Sequence, residues 1–104
     1  EALTMVFEIR YSRFADDNLK DILSYLSESW SNEVVFGFAN RLSARLERIK
    51  THPHHFPFHD EKRTVRKCSL NPYHGIFYKI DGNIIYIVAI FDLRQDPQKL
   101  KSIL

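Results

Sequence analysis

The sequence predicts a small α+β domain in which an antiparallel helix hairpin covers one face of an antiparallel sheet, in the order β-α-α-β-β-β. The spacing of apolar residues changes from a period of two to about 3.6 and back to two along the chain. The His52-Pro53 pair divides the helical part from the extended part. Asp81-Gly82-Asn83 lies between two apolar runs and is typical of a tight β-hairpin turn. The 104 residues suffice for one domain with one core.

The first half of the chain predicts one strand and two helices. Apolar and polar residues alternate over 5–11, as in a strand with one buried face. Ser12 can cap a first helix, and Ser31 with Asn32 can end it and cap a second one, which stops before Pro53. The apolar stripe of the first helix is Leu19, Ile22, Leu23, Leu26 and Trp30, and that of the second is Val35, Phe38, Leu42, Leu46 and Ile49.

The second half predicts three strands joined by hairpins. Residues 64–69 alternate with one polar face, 74–80 form the next strand, and 84–91 are apolar on both faces, which indicates a central strand. Strands joined by hairpins are antiparallel, and the helix pair is expected to cover one face of their sheet. Residues 98–104 are expected to form a flexible tail, and residues 1–4, which precede Met5, to be non-native or disordered.

The composition indicates a globular cytoplasmic protein. No apolar run approaches the roughly 18 residues that a membrane span needs, and the N-terminus lacks the pattern of a signal peptide. Cys68 is the single cysteine, so no intramolecular disulfide can form, which favours a reducing compartment.

Positive charge is concentrated in the middle of the chain. Residues 1–40 carry three basic and seven acidic side chains, whereas residues 41–67 carry eight basic and three acidic ones. Such a basic region can bind a polyanion or an acidic protein segment, although a solvated charged face gives the same pattern.

The basic residues and nearby rings are the main candidates for function. Arg41, Arg45 and Arg48 fall on one flank of the second helix. Guanidinium groups bind phosphates and rings stack on bases, so these residues could form a nucleic-acid surface. The alternative is that the cations pair with local acids and that Tyr78 packs in the core. The other members of the set are Arg63, Arg66, Lys67, Tyr73, His74, Tyr78 and Arg94.

Three further interpretations are weaker. The loop histidines His52, His54, His55 and His59, with Asp60 and Cys68, could hold a metal ion, but their spacing matches no closed zinc motif, so we expect none. Cys68 could act as a nucleophile beside His74, although a lone strand cysteine is more often a core residue. Phe36, Phe56 and Phe58 could be exposed on a partner surface, or the loop could bury its own rings.

The ordered pattern resembles the RelE/ParE toxin superfamily over nearly the whole chain. Residues 7–12 resemble its first strand and helix start, 19–26 its first helix, and 38–42 and 46–49, closed by His52-Pro53, its second. The closest similarity is Tyr73 to Asn83, followed by the apolar strand 84–91 and then 92–97.

The resemblance implies the toxin half of a type II toxin–antitoxin pair, a group that includes plasmid stabilization proteins. It implies growth inhibition, a cognate antitoxin partner and no cofactor. RelE-like members cut messenger RNA on the ribosome, whereas ParE-like members poison DNA gyrase and need no nuclease residues. Both bind an antitoxin that lays an extended segment and a helix over the toxin.

Local departures from the family patterns favour the ParE-like branch. Nuclease members often have an arginine after the third-strand histidine and a tyrosine near the end, but Gly75 follows His74 and no tyrosine follows Phe91. The chain departs from the ParE-like pattern at one position too, because that branch usually has histidine where this chain has Asp92. If the chain were an endoribonuclease, its catalytic residues would be Arg63, Arg66, His74 and Arg94. The expected antitoxin- or target-binding residues are Arg41, Arg45, Arg48, Phe36, Lys67 and Tyr73.

The alternatives to a ParE-like toxin are a RelE-like endoribonuclease, a non-catalytic nucleic-acid-binding module and a decayed toxin-like module that only binds an antitoxin. A homodimer is also compatible with the sequence.

Overall fold

A computed structural model describes residues 5–104, so the expectation for residues 1–4 lies outside the described chain. None of the helices in the described part is long and apolar enough to cross a membrane. The elements are β1 (Glu8–Tyr11), α1 (Arg13–Ser29), α2 (Asn32–Thr51), β2 (Arg66–Asn71), β3 (His74–Asp81), β4 (Ile84–Asp92) and α3 (Pro97–Lys101).

The sheet is mixed, with the strand order β1-β4-β3-β2. β2, β3 and β4 pair antiparallel through their hairpins, whereas β1 pairs parallel with β4. The prediction of an entirely antiparallel sheet was therefore wrong for β1. A hairpin fixes only the directions of the two strands that it joins, and β1 is connected to the rest of the sheet through the helix pair. The central position of β4 is confirmed.

Two hydrogen bonds to β4 anchor the start of α1. The register between β3 and β4 shifts so that Val88 has no partner residue on β3. Ser12 caps α1 by accepting a hydrogen bond from the Ala15 amide, and its hydroxyl donates to the Val88 carbonyl at 2.9 Å. The Asn18 side chain accepts from the Ile90 amide at 3.1 Å. Side chains at the start of α1 thus satisfy backbone groups of β4 beyond Ile87, where the pairing with β1 ends.

The two faces of the sheet carry separate apolar clusters. The larger cluster joins α1 and α2 to the sheet, and its fully buried members include Ile49, Ile76 and Tyr78. The smaller one lies around Phe77 and Leu100 on the opposite face. Residues 98–101 of the expected flexible tail thus lie in α3, in which Leu100 is only 5% exposed. No apolar stripe in this part of the chain is long enough to predict this helix.

The segment between α2 and β2 is fixed by two polar anchors. The buried Tyr78 hydroxyl donates to the Pro53 carbonyl at 2.6 Å. The Asp60 carboxylate accepts hydrogen bonds from the backbone amides of Thr64 and Val65 and from the Thr64 hydroxyl, and these hydrogen bonds lower the Asp60 pKa to about 2. These contacts hold the loop against the end of the sheet where β2 begins.

Candidate functional site

A groove of about 700 Å³ lies between the tip of the helix hairpin and one end of the sheet. We call it the hairpin-tip groove. Its helical wall is mainly apolar and aromatic, and its sheet wall is polar. The helical wall comprises Asp21, Ile22, Tyr25, Leu26, Trp30, Val34, Gly37, Phe38 and Arg41, and the sheet wall Asn71, Tyr73, His74, Asp92, Arg94 and Gln95.

The polar wall is held by its own hydrogen bonds. The Arg94 guanidinium donates to both carboxylate oxygens of Asp92, at 3.0 and 2.9 Å, and lies 4.4 Å from the centre of the Tyr73 ring. His74 is the cross-strand partner of Asp92. The Asn71 side-chain oxygen accepts from the Tyr73 and His74 amides and lies 3.1 Å from His74 Nδ1. These side chains therefore present a pre-arranged surface.

His74 is poorly suited to carry a positive charge. Burial lowers the pKa of His74 below 6.5, Asp92 opposes this effect, and Arg94 adds to it. The ring also packs edge-on against Phe38, with 5.7 Å between ring centres. Hydrogen bonds from Arg94 hold the Asp92 pKa below its ordinary value, so Asp92 remains a carboxylate paired with Arg94 near neutral pH.

The four residues expected in a nuclease centre lie in two places. His74 and Arg94 line the hairpin-tip groove, whereas Arg66 is opposite Tyr78 on β3. Tyr78 lies four positions along β3 from His74, which corresponds to about 13 Å. The guanidinium of Arg66 lies 3.9 Å from the centre of the Phe58 ring, and that of Arg63 lies 5.1 Å from it.

Arg66 is engaged by the loop that precedes β2. Its Nη1 donates to the carbonyls of His54 and Phe56, at 3.1 and 2.7 Å. A guanidinium that binds two main-chain carbonyls and stacks on a ring has a structural role here. Arg63 lies beside the same ring with a left-handed backbone, at a φ of 57°.

The basic flank of α2 is exposed, as the helical spacing predicts. Arg41, Arg45 and Arg48 are all exposed. Arg41 lines the hairpin-tip groove, and Arg45 Nε donates to the Ser69 carbonyl on β2 at 3.2 Å. Phe36 is 65% exposed on α2 but does not line the groove.

Lys67 and Tyr73 are separated by the sheet. The Lys67 side chain lies over Gly75, on the face of the smaller apolar cluster, whereas Tyr73 lies at the hairpin-tip groove. The structure thus groups Tyr73 with Arg41 and leaves Lys67 and Phe36 outside that group.

The loop histidines do not converge on a common point. Within residues 5–104, no three His, Cys, Asp or Glu side chains are close enough to share a metal ion. His54 packs on Phe7 and His59 on Phe77. Cys68 is buried, and burial raises the pKa of its thiol, which disfavours the nucleophilic thiolate.

A second groove, of about 400 Å³, runs between β1 and the helix pair, and we call it the edge groove. Ile9 and Tyr11 of β1 line it together with Leu19, Leu23 and Leu46 of the helices. β1 is an edge strand, so one side of its backbone is available for pairing.

Comparison with known proteins identifies the family. The family model described as the ParE toxin of the type II toxin–antitoxin system, parDE, matches residues 9–97. The chain belongs to the ParE toxin family. It is therefore a toxin of the type II toxin–antitoxin class, as the sequence resemblance implied. No curated protein sequence matches the chain.

A solved structure supports the same fold for this ParE family member. A chain from the chromosomal ParDE toxin–antitoxin system of P. aeruginosa superposes with a TM-score of 0.72 at 14% sequence identity. The superposition covers 88% of this chain and all of the other. The α+β fold with a helix pair on a sheet is thus confirmed as that of a ParE family protein.

Sequence reasoning missed the aromatic wall of the groove. Trp30 was expected on the buried stripe of α1, but it is the C-cap residue, with extended backbone, and is 57% exposed. Its side chain therefore leaves the stripe and joins Tyr25 and Val34 at the hairpin tip. Ser31 was the sequence signal for this position of Trp30. Because Ser31 caps α2, α1 has to end before it, and Trp30 does not continue the apolar stripe of α1.

Proposed function

We propose that this ParE family toxin inhibits DNA gyrase by binding it, and that a cognate antitoxin neutralises it. Family membership supports toxicity and the ParE-like branch. The main support for binding rather than RNA cleavage is that the nuclease candidates lie in two separate places. In one place the Arg66 guanidinium is bound to main-chain carbonyls, and in the other the Arg94 guanidinium is bound to Asp92. RNA cleavage by attack of a 2′-hydroxyl needs an acid, a base and a phosphate-binding cation at one point.

The electrostatics of His74 support a binding function as well. A general acid or base works best with a pKa near the working pH, and burial moves the His74 pKa downward. The adjacent Arg94 donates to both carboxylate oxygens of Asp92 through Nε and Nη2, so its positive charge is already paired with a negative one.

The surface of the α2 flank favours an acidic partner. Arg41, Arg45 and Arg48 recur at helical spacing over about 10 Å, so carboxylates on an antitoxin segment can meet them in succession. The open edge of β1, with the edge groove beside it, suits the extended segment that antitoxins of this superfamily carry, because an added strand gains main-chain hydrogen bonds and places alternate side chains in the groove.

Induced expression in a bacterial host tests toxicity and neutralisation. We expect growth arrest, and relief of the arrest when the neighbouring small open reading frame is co-expressed. Normal growth with soluble protein present would contradict a toxin function and would favour the decayed relative.

Two purified assays separate the targets. Gyrase supercoiling is expected to be inhibited, while mRNA on ribosomes remains intact. His74→Ala is the informative variant, because it removes the only groove histidine while leaving the loop contacts of Arg66 in place. Ribosome-dependent RNA cleavage that His74→Ala abolishes would overturn the proposal in favour of the RelE-like alternative.

A further inference from the structure

We infer that the hairpin-tip groove binds an aromatic or bulky aliphatic side chain of the antitoxin, together with a carboxylate next to that side chain in the partner's sequence. This inference rests on the proposed neutralisation by an antitoxin and assigns the chemistry of one contact. It concerns a groove that is separate from the edge groove and from the outer part of the α2 flank.

The size and walls of the groove suit a bulky anchor. Its volume of about 700 Å³ exceeds that of any single side chain, and it lies within the range of sites that bury small ligands. Tyr25 and Trp30 are each 57% exposed, and Tyr73 is 52% exposed. Rings exposed around an apolar floor lose water when another ring or branched chain packs between them, which is how binding anchors gain most of their energy.

The charges around the groove favour an acidic neighbour for the anchor. Arg94 is neutralised by Asp92, whereas Arg41 makes no ion pair within the described residues. Asp21 also lines the groove, but Arg41 continues into the row formed with Arg45 and Arg48, so positive charge extends away from the groove along α2. A partner carboxylate beside the anchor would meet Arg41 first.

Gly37 gives a direct way to fill the groove. It lies on the helical wall, and a Cβ added there would meet nothing within 4 Å. Gly37→Phe should therefore occupy the groove without disturbing α2, and Gly37→Ala should leave the groove open while making the same backbone change.

Binding of small indoles to the ¹⁵N-labelled protein tests the groove without the antitoxin. Indole-3-acetate should shift the resonances of Tyr25, Trp30 and Tyr73 with a dissociation constant on the order of 1 mM. Tryptamine has the same ring but a positive charge, and should bind about two- to fivefold more weakly. Arg41→Gln should remove this preference, whereas Arg48→Gln, outside the groove, should keep it.

The antitoxin complex provides the second measurement. Gly37→Phe should weaken antitoxin binding by about 30-fold or more, and Gly37→Ala should bind as the original chain does. Wild-type affinity in Gly37→Phe, or indole-3-acetate shifts confined to other surfaces, would overturn the inference. A homodimer that Gly37→Phe dissociates would instead make a second copy the occupant. If the original chain were neither toxic nor bound by any antitoxin, the proposed function itself would fail, whatever the indole result.

Discussion

Substituting Arg66 separates a structural role from a catalytic one. Arg66 was a nuclease candidate from its place in the sequence, but its guanidinium binds the carbonyls of His54 and Phe56 and covers the Phe58 ring. Arg66→Ala removes these contacts and leaves two carbonyls without a protein donor. We therefore expect the variant to lose stability and to remain toxic wherever it is folded.

The size of the loss follows from the contacts. A hydrogen bond from a charged donor contributes about 1.5–3 kcal/mol, and a cation–π contact at a partly exposed site about 0.5–1 kcal/mol. Because Arg66 is half-buried, water replaces part of what is lost. The expected decrease in the free energy of unfolding is about 2 kcal/mol, or roughly 8–16 °C in Tm for a domain of this size.

Urea unfolding followed by circular dichroism measures this loss, with Arg63→Ala as the matched control. The Arg63 guanidinium is near the same ring at 5.1 Å but makes no hydrogen bond within the described residues, so its removal should cost less than about 1 kcal/mol. Growth inhibition by each variant is then compared at a temperature where both are folded. Full stability combined with lost toxicity in Arg66→Ala would refute the structural role.

Three other perturbations probe the fold and the groove. Tyr78→Phe leaves the buried Pro53 carbonyl without its donor and should lower the free energy of unfolding by about 1–3 kcal/mol in urea titrations, and an unchanged midpoint would contradict this contact. Leu100→Ala should cost about 2 kcal/mol and speed proteolysis of the tail, whereas unaltered digestion would mean that α3 contributes nothing. The pKa of His74 is lower in the folded than in the unfolded chain, so the unfolded chain binds the His74 proton more readily. The neutral His74 ring therefore makes its full contribution to the free energy of unfolding above pH 6.5, and this contribution declines as the pH falls below 6.5. His74→Gln should lose less stability between pH 7 and pH 5 than the original chain, and parallel profiles would count against the buried neutral ring.

The elements that local chemistry determines could be predicted from the sequence. Ser12 and Ser31 cap α1 and α2, because their hydroxyl oxygens accept hydrogen bonds from backbone amides of the first turn. α2, which precedes Pro53, ends at Thr51. The turn at Gly82 joins β3 to β4, with a φ of 59° that glycine readily adopts. Each of these depends on neighbouring residues alone.

The direction of β1 and the grouping of the arginines depend on distant contacts. β1 lies beside β4, more than 70 residues away, and no turn between them fixes its direction. Arg66 and Arg94 carry the same charge in the sequence, but one is bound by a loop and the other by Asp92. Charge and spacing predict that such residues are exposed, and only the fold determines which of them share a surface.

Inhibition of gyrase is tested most directly by titrating the purified protein against a fixed amount of gyrase and relaxed plasmid. We expect supercoiling to be progressively inhibited, and His74→Ala to inhibit it as the original chain does. Uninhibited supercoiling at a large excess of folded protein would contradict this expectation.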